Sequence, residues 1–197
     1  MLLKAEQDNV QRARNRFIFS LQIALSKMKS IVMMGVAGCG KSSAGLALAN
    51  ALGLPLIEGD AYHPQSNIDK IRQGVPLTDE DRTGWLDALG GELARHSDGA
   101  VLTCSALRRS YRDRLREASM GLRFVFLDIS HEQALERVTA RAGEHMFPPV
   151  LVASQFATLE SPIDEAGVLH INATLPVDQI TQLACAWLRS ETQQEEL

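Results

Sequence analysis

Gly35-Val36-Ala37-Gly38-Cys39-Gly40-Lys41-Ser42 has the spacing G-x-x-x-x-G-K-[ST], and its flanks restrict the fold more than any other stretch of the chain. The apolar run Ser30-Ile31-Val32-Met33-Met34 in front reads as a buried strand. Residues 43–52 behind it read as a helix, closed by Gly53 and Pro55. Strand, glycine loop and helix in that order make a P-loop. Its glycines let backbone N–H groups face phosphate oxygens, and the helix N-terminus adds partial positive charge. Gly35, Val36, Ala37, Gly38, Cys39, Gly40, Lys41, Ser42 and Ser43 are thus expected to hold a nucleotide. Lys41 would reach the β/γ-phosphates and the Ser42 hydroxyl would ligate Mg²⁺, which makes ATP and Mg²⁺ the expected cofactors.

The rest of the chain agrees with such a loop. Apolar runs recur at 31–34, 54–57, 100–103, 124–127 and 168–171, separated by helical patterns. That alternation predicts an α/β fold with a five-stranded parallel sheet, the three-layer α/β/α arrangement of P-loop NTPases. Ser130-x-x-Gln133 reads as a capping box with Ala134, Leu135 and Val138 on the buried stripe. Residues 78–81 open another helix, and Pro176 starts the last one, packed by Ile180, Leu183, Ala184 and Trp187. Residues 143–149 break the helical pattern, and we take about 142–160 as a small lid.

Residues 1–29 carry a net charge of +4 and the remainder −8, which argues against a nucleic-acid surface on the main body. No apolar stretch reaches the roughly 20 residues of a membrane span. The run at 17–25 is interrupted by Ser20 and Gln22 and lacks a cleavage site, so export is not expected. Residues 1–27 read as a non-essential or disordered extension, and 28–197 as a single P-loop domain. Three cysteines at unrelated spacings suggest neither disulfides nor zinc and point to the cytoplasm. Cys39 is either a thiol with a depressed pKa or a small residue tolerated in the loop.

Ligands of parallel α/β sheets sit beyond the carboxyl ends of the strands. The third strand, within 99–105, ends without an acidic residue, and no guanine-reading Asn-Lys-x-Asp occurs. The carboxylates follow the second strand instead, at Glu58 and Asp60, on one side if the chain stays extended. Asp60 is the candidate base for an alcohol, and Glu58 the outer-shell magnesium partner. With Pro64 at the first helical position and His63 as N-cap, His63, Asn67 and Lys70 share a face suited to a polyhydroxylated anion. Asp81 and Arg82 would add an acceptor and a carboxylate clamp. Ser105 follows the third strand, and either Arg108 or Arg109 could meet the substrate from the next helix. Arg137 and Arg141, like charges at i,i+4, need an anion between them, and ATP phosphates would supply it.

These segments together resemble the gluconate kinase family, small P-loop kinases related in fold to shikimate and nucleoside-monophosphate kinases. The resemblance rests on residues 34–42, on Gly59-Asp60-Ala61-Tyr62-His63-Pro64 with Asn67 and Lys70, and on residues 74–82. Cys104-Ser105-Ala106-Leu107-Arg108-Arg109, Tyr111-Arg112-Asp113, Ser154-Gln155-Phe156 and Leu159-Glu160 continue it over about 30–175. It implies transfer of the ATP γ-phosphate to the 6-hydroxyl of D-gluconate, a lid that moves, and a homodimer. A shikimate-like kinase and a non-catalytic nucleotide-dependent regulator are the other readings. Glu58 stands where the family often has aspartate, and Thr83-Gly84-Trp85 replaces a more usual x-Pro-Trp. Residues 144–148 depart from the family's lid in order, so His145 and Met146 are assigned no role.

Overall fold

The computed structural model describes residues 29–141 and 147–195. The extension read at 1–27, and the start of the lid at 142–146, lie outside the described residues. Five parallel strands, β1 (Ile31–Met34), β2 (Leu56–Glu58), β3 (Val101–Thr103), β4 (Arg123–Asp128) and β5 (Val168–Asn172), form one sheet in the order β2-β3-β1-β4-β5. Helices α1 (Lys41–Leu52), α2 (Gln65–Arg72), α3 (Asp79–Arg95), α4 (Arg109–Ala118), α5 (His131–Ala140), α6 (Val152–Thr158) and α7 (Val177–Glu195) connect and follow them.

Side chains alternate across β1. Ile31 and Met33 enter a core with Ala44 and Leu48 of α1 and Ile180 and Ala184 of α7. Val32 and Met34 enter another, with Trp85 and Leu89 of α3 and Leu115 of α4. Helices therefore cover both faces, the expected three layers, and a strand buried on both faces must be apolar at every position. Each large aliphatic side chain so buried contributes about 1.5–3 kcal/mol.

Local details depart from the sequence reading. The ladder of β2 starts at Leu56, paired with Val101, because Gly53 caps α1 in a left-handed conformation and Pro55 has no N–H to give. Pro64 is the N-cap of α2 and not its first helical residue. Leu135 and Leu183 are exposed, so the buried stripes of α5 and α7 are narrower than their apolar patterns. Ser130 does cap α5, accepting from the Gln133 N–H at 3.2 Å, but the Gln133 side chain bonds the Ser130 hydroxyl instead of the backbone. Thr78 and Asp81 complete a full capping box on α3.

The loop between β3 and α4 is held from inside. Arg112, wholly buried, donates to the carbonyls of Ala106 and Leu107 at 2.8 and 3.1 Å and pairs with Glu165 at 2.5 Å. Ala106 adopts φ 46°, a left-handed value a residue with a Cβ keeps only where its surroundings impose it. Burial pushes the Glu165 carboxyl up, but bonds from Arg112 and Arg116 outweigh it and hold it below the ordinary range. Removing Glu165 would strand a buried guanidinium at a cost of about 3–5 kcal/mol.

Candidate active site

β1 is the middle strand, so the loop leaving its end opens at the centre of the sheet's carboxyl edge. Gly38 has φ 82°, and a Cβ there would meet the Ala134 carbonyl at 2.8 Å, so only glycine lets the loop rest on α5. Lys41 Nζ donates to the carbonyls of Gly35 and Val36 at 3.1 and 3.0 Å, folding the ammonium over the loop. Cys39 lends the loop its backbone only. Its side chain is buried, and burial pushes the thiol up although Lys41 and Arg137 oppose the shift. That overturns the depressed-pKa reading.

At the tip of β2, Glu58 accepts from the Ser42 hydroxyl at 3.1 Å and from Thr103 at 2.6 Å. The chain does not stay extended beyond it. Residues Gly59–Tyr62 make a 3-10 turn that packs closely on β3, an approach glycine alone permits, since a Cβ on Gly59 would lie 2.1 Å from the Thr103 carbonyl. Alternation therefore fails as the reason for placing Glu58 with Asp60, and the turn delivers Asp60 to the cleft instead.

That cleft encloses about 1110 Å³, counting its open mouth. Ala37, Gly38, Gly40, Lys41, Ser42 and Ser43 line it from the loop, and Arg137 and Arg141 from the end of α5. Arg137 is steadied by the Gly38 and Ala173 carbonyls at 3.4 and 3.1 Å. Asp60, His63, Arg82 and Ser105 line it from the acid side, and Phe147, Leu151, Ser154 and Gln155 from a third wall. His63 stacks on Trp85 with centroids 4.2 Å apart, and Trp85 Nε1 donates to the Gly59 carbonyl at 2.8 Å. Arg82 reaches the Leu77 carbonyl at 2.7 Å and lies over the Tyr111 ring.

Four predicted substrate residues stand outside this lining. Asn67 is buried, donating to the Asp81 carbonyl at 2.8 Å, so its amide serves the fold. Lys70 Nζ grips both oxygens of Asp81 at 2.6 and 2.8 Å. The Lys70 bonds, with the Thr78 N–H, hold the Asp81 carboxyl below the ordinary range. Arg108 pairs with Asp79 at 2.5 Å, and Arg109 with Asp113 at 3.8 Å. Asp79 also accepts from the Tyr111 hydroxyl. The residue types on this side are those expected, but many of their charges face one another.

Gln155 was not singled out for a site by spacing. Its Oε1 accepts from the Ala37 N–H at 2.6 Å, closing the third wall against the loop. Trp85, the stacking partner of His63, was likewise invisible, since an apolar helix stripe gives no hint of what its ring touches.

Ser42 with Glu58 behind it is a hard-oxygen donor set, suited to a Mg²⁺ ion that draws its other ligands from phosphates and water. Among the described residues no three His, Cys, Asp or Glu side chains gather to hold a metal alone. No described helix is long and apolar enough to cross a membrane.

A family model described as an AAA domain matches residues 31–162. The gluconokinase of Gluconobacter oxydans is 41% identical over 159 residues, spanning 79% of this chain and 89% of that protein. A crystal structure of a gluconokinase from Sinorhizobium meliloti superposes with TM-score 0.78 at 46% identity, covering 85% of this chain and 95% of the other. A shikimate kinase from Acinetobacter baumannii gives TM-score 0.60 at 16% identity, covering 85% and 97%, which shows a common fold alone.

Proposed function

Since this chain belongs to the gluconokinase family, we propose that it moves the γ-phosphate of ATP to the 6-hydroxyl of D-gluconate, releasing 6-phosphogluconate and ADP. The observation that carries the mechanism is that Asp60 lines the same cleft as the phosphate loop and the two arginines. An alcohol attacks in line and must lose its proton, while charge on the transferring group must be neutralised by fixed cations.

Each residue then has a task. The loop N–H groups and Lys41 hold the β- and γ-phosphates. Arg137 and Arg141 clamp the transferring group from α5. Asp60 accepts the hydroxyl proton. His63, Arg82 and Ser105 form the acid side of the cleft, where a six-carbon sugar acid offers a carboxylate to Arg82 and hydroxyls to the others. Ser42 would ligate Mg²⁺ and Glu58 would accept from its water shell. That ion, when bound, neutralises phosphate charge. The third wall, within 142–160, acts as the lid. We extend the reading to a single domain over 28–197, a cytoplasmic location and a homodimer, the last testable by sedimentation.

ADP release measured across gluconate, shikimate and nucleoside monophosphates tests the substrate. Turnover with gluconate alone, reduced about 10³-fold in Asp60→Asn while binding of an ATP analogue persists, is the expected result. Preference for another acceptor would overturn the substrate, and full activity in Asp60→Asn would overturn the base.

A further inference from the structure

Gln155 lies 118 positions from Ala37 in sequence, yet its side-chain oxygen accepts the Ala37 N–H at 2.6 Å. A backbone N–H can only donate, so the bond decides which way the amide is turned: oxygen to the loop, NH₂ away from it. The side chain is half-buried and lines the cleft beside Lys41, Arg137 and Arg141. Among the described residues its Nε2 makes no hydrogen bond, whereas the same wall's Ser154 hydroxyl is already committed to the Leu151 carbonyl at 2.8 Å. An amide whose acceptor is engaged acts as a neutral donor of fixed aim, and the cleft it lines carries four cations, Lys41, Arg82, Arg137 and Arg141, against one carboxylate, Asp60. The chemistry matched by that set is a phosphate oxygen.

Position along the cleft selects which phosphate. The loop and first turn of α1 hold one end, Asp60 marks the other, and the group between them on the kinase reading is the terminal phosphoryl. The geometry points to Gln155 as a γ-phosphate reader: Oε1 anchors it to Ala37 while Nε2 donates to a terminal phosphoryl oxygen, tying α6 to the length of the phosphate chain. Loop contacts to the β-phosphate hold ATP and ADP alike. A donor that meets only the third phosphate separates them, favouring loading of the triphosphate and release of the diphosphate. This rests on the kinase assignment but not on the identity of the acceptor.

The test is calorimetric titration with the β,γ-imido analogue of ATP and with ADP, each with Mg²⁺. Gluconate turnover of the wild type is measured separately. Gln155→Glu keeps an acceptor for Ala37 but turns the donor into an anion, and should weaken the analogue by about tenfold or more while ADP stays within about twofold. Gln155→Met removes both polar atoms at similar size, and should weaken the analogue by about threefold, again sparing ADP, with kcat reduced and the KM for gluconate unchanged. Parallel weakening of both nucleotides, an unchanged analogue affinity, or loss of the fold in both variants would make Gln155 a packing residue and overturn the proposal. A wild type that discriminates analogue from ADP through Gln155 yet ignores gluconate would overturn the substrate and leave the reader standing.

Discussion

The cations expected on the two sides of the cleft are used in opposite ways. On the phosphate side, Lys41, Arg137 and Arg141 make no ion pair among the described residues, and the first two are steadied by backbone carbonyls alone. Of the cations expected on the acid side, three stand outside the lining and are paired: Lys70 faces Asp81, Arg108 faces Asp79 and Arg109 faces Asp113. A carbonyl aims a cation without cancelling it, whereas a carboxylate does both. The lesson is that residue type locates a binding wall, but the partner decides whether its charge serves a ligand or the fold.

The sharpest attempt to break this contrast compares arginines. Arg141→Ala should lower kcat/KM by about 100-fold, the scale of one lost electrostatic contact to the transition state. Arg108→Ala, losing only a half-exposed pair, should stay within about threefold. Steady-state kinetics decide, and equal losses would erase the distinction between the walls. A smaller effect is expected at Lys70. Lys70→Met should leave the KM for gluconate within about twofold and cost only a slight fall in the unfolding midpoint. A tenfold rise in KM would mean that Lys70 abandons Asp81 for substrate.

The mildest effect concerns pH. Burial against Trp85 holds the His63 imidazole below 6.5, Arg82 pushes the same way, and Asp60 opposes both. A depressed value means that the unfolded chain takes up the proton first. Stability is then fully present above 6.5 and is lost as pH falls from there through the lower folded value. Thermal unfolding of the wild type below pH 6.5 should show this slope, and His63→Gln should flatten it. An undiminished slope in the variant would assign the titration to another group.

What could be read from the chain alone follows the same division. The phosphate loop is contiguous, so eight neighbouring residues carry its geometry in their order. The strands were legible because a doubly covered sheet demands unbroken apolar runs, and only their ends moved, where Pro55 and the turn at Gly59 intervene. The acid side was legible in composition but not in pairing. Nothing in the spacing of Lys70 and Asp81 says that they meet before either meets a ligand. Gln155 on Ala37 and Arg112 on Glu165 join distant segments, and periodicity reports only on near neighbours. The two readings of Cys39 could not be separated by sequence for a related reason, since the core that buries the thiol is assembled from distant segments.

β1 is paired on both flanks and has no solvent-facing residue, so its amides exchange with water only when the whole domain opens. The nucleotide cradle hangs directly from it. The opposing wall depends on a seven-residue helix. On warming, that helix should fray well before the strand melts, and the protein would keep hold of its nucleotide for a while after turnover has stopped.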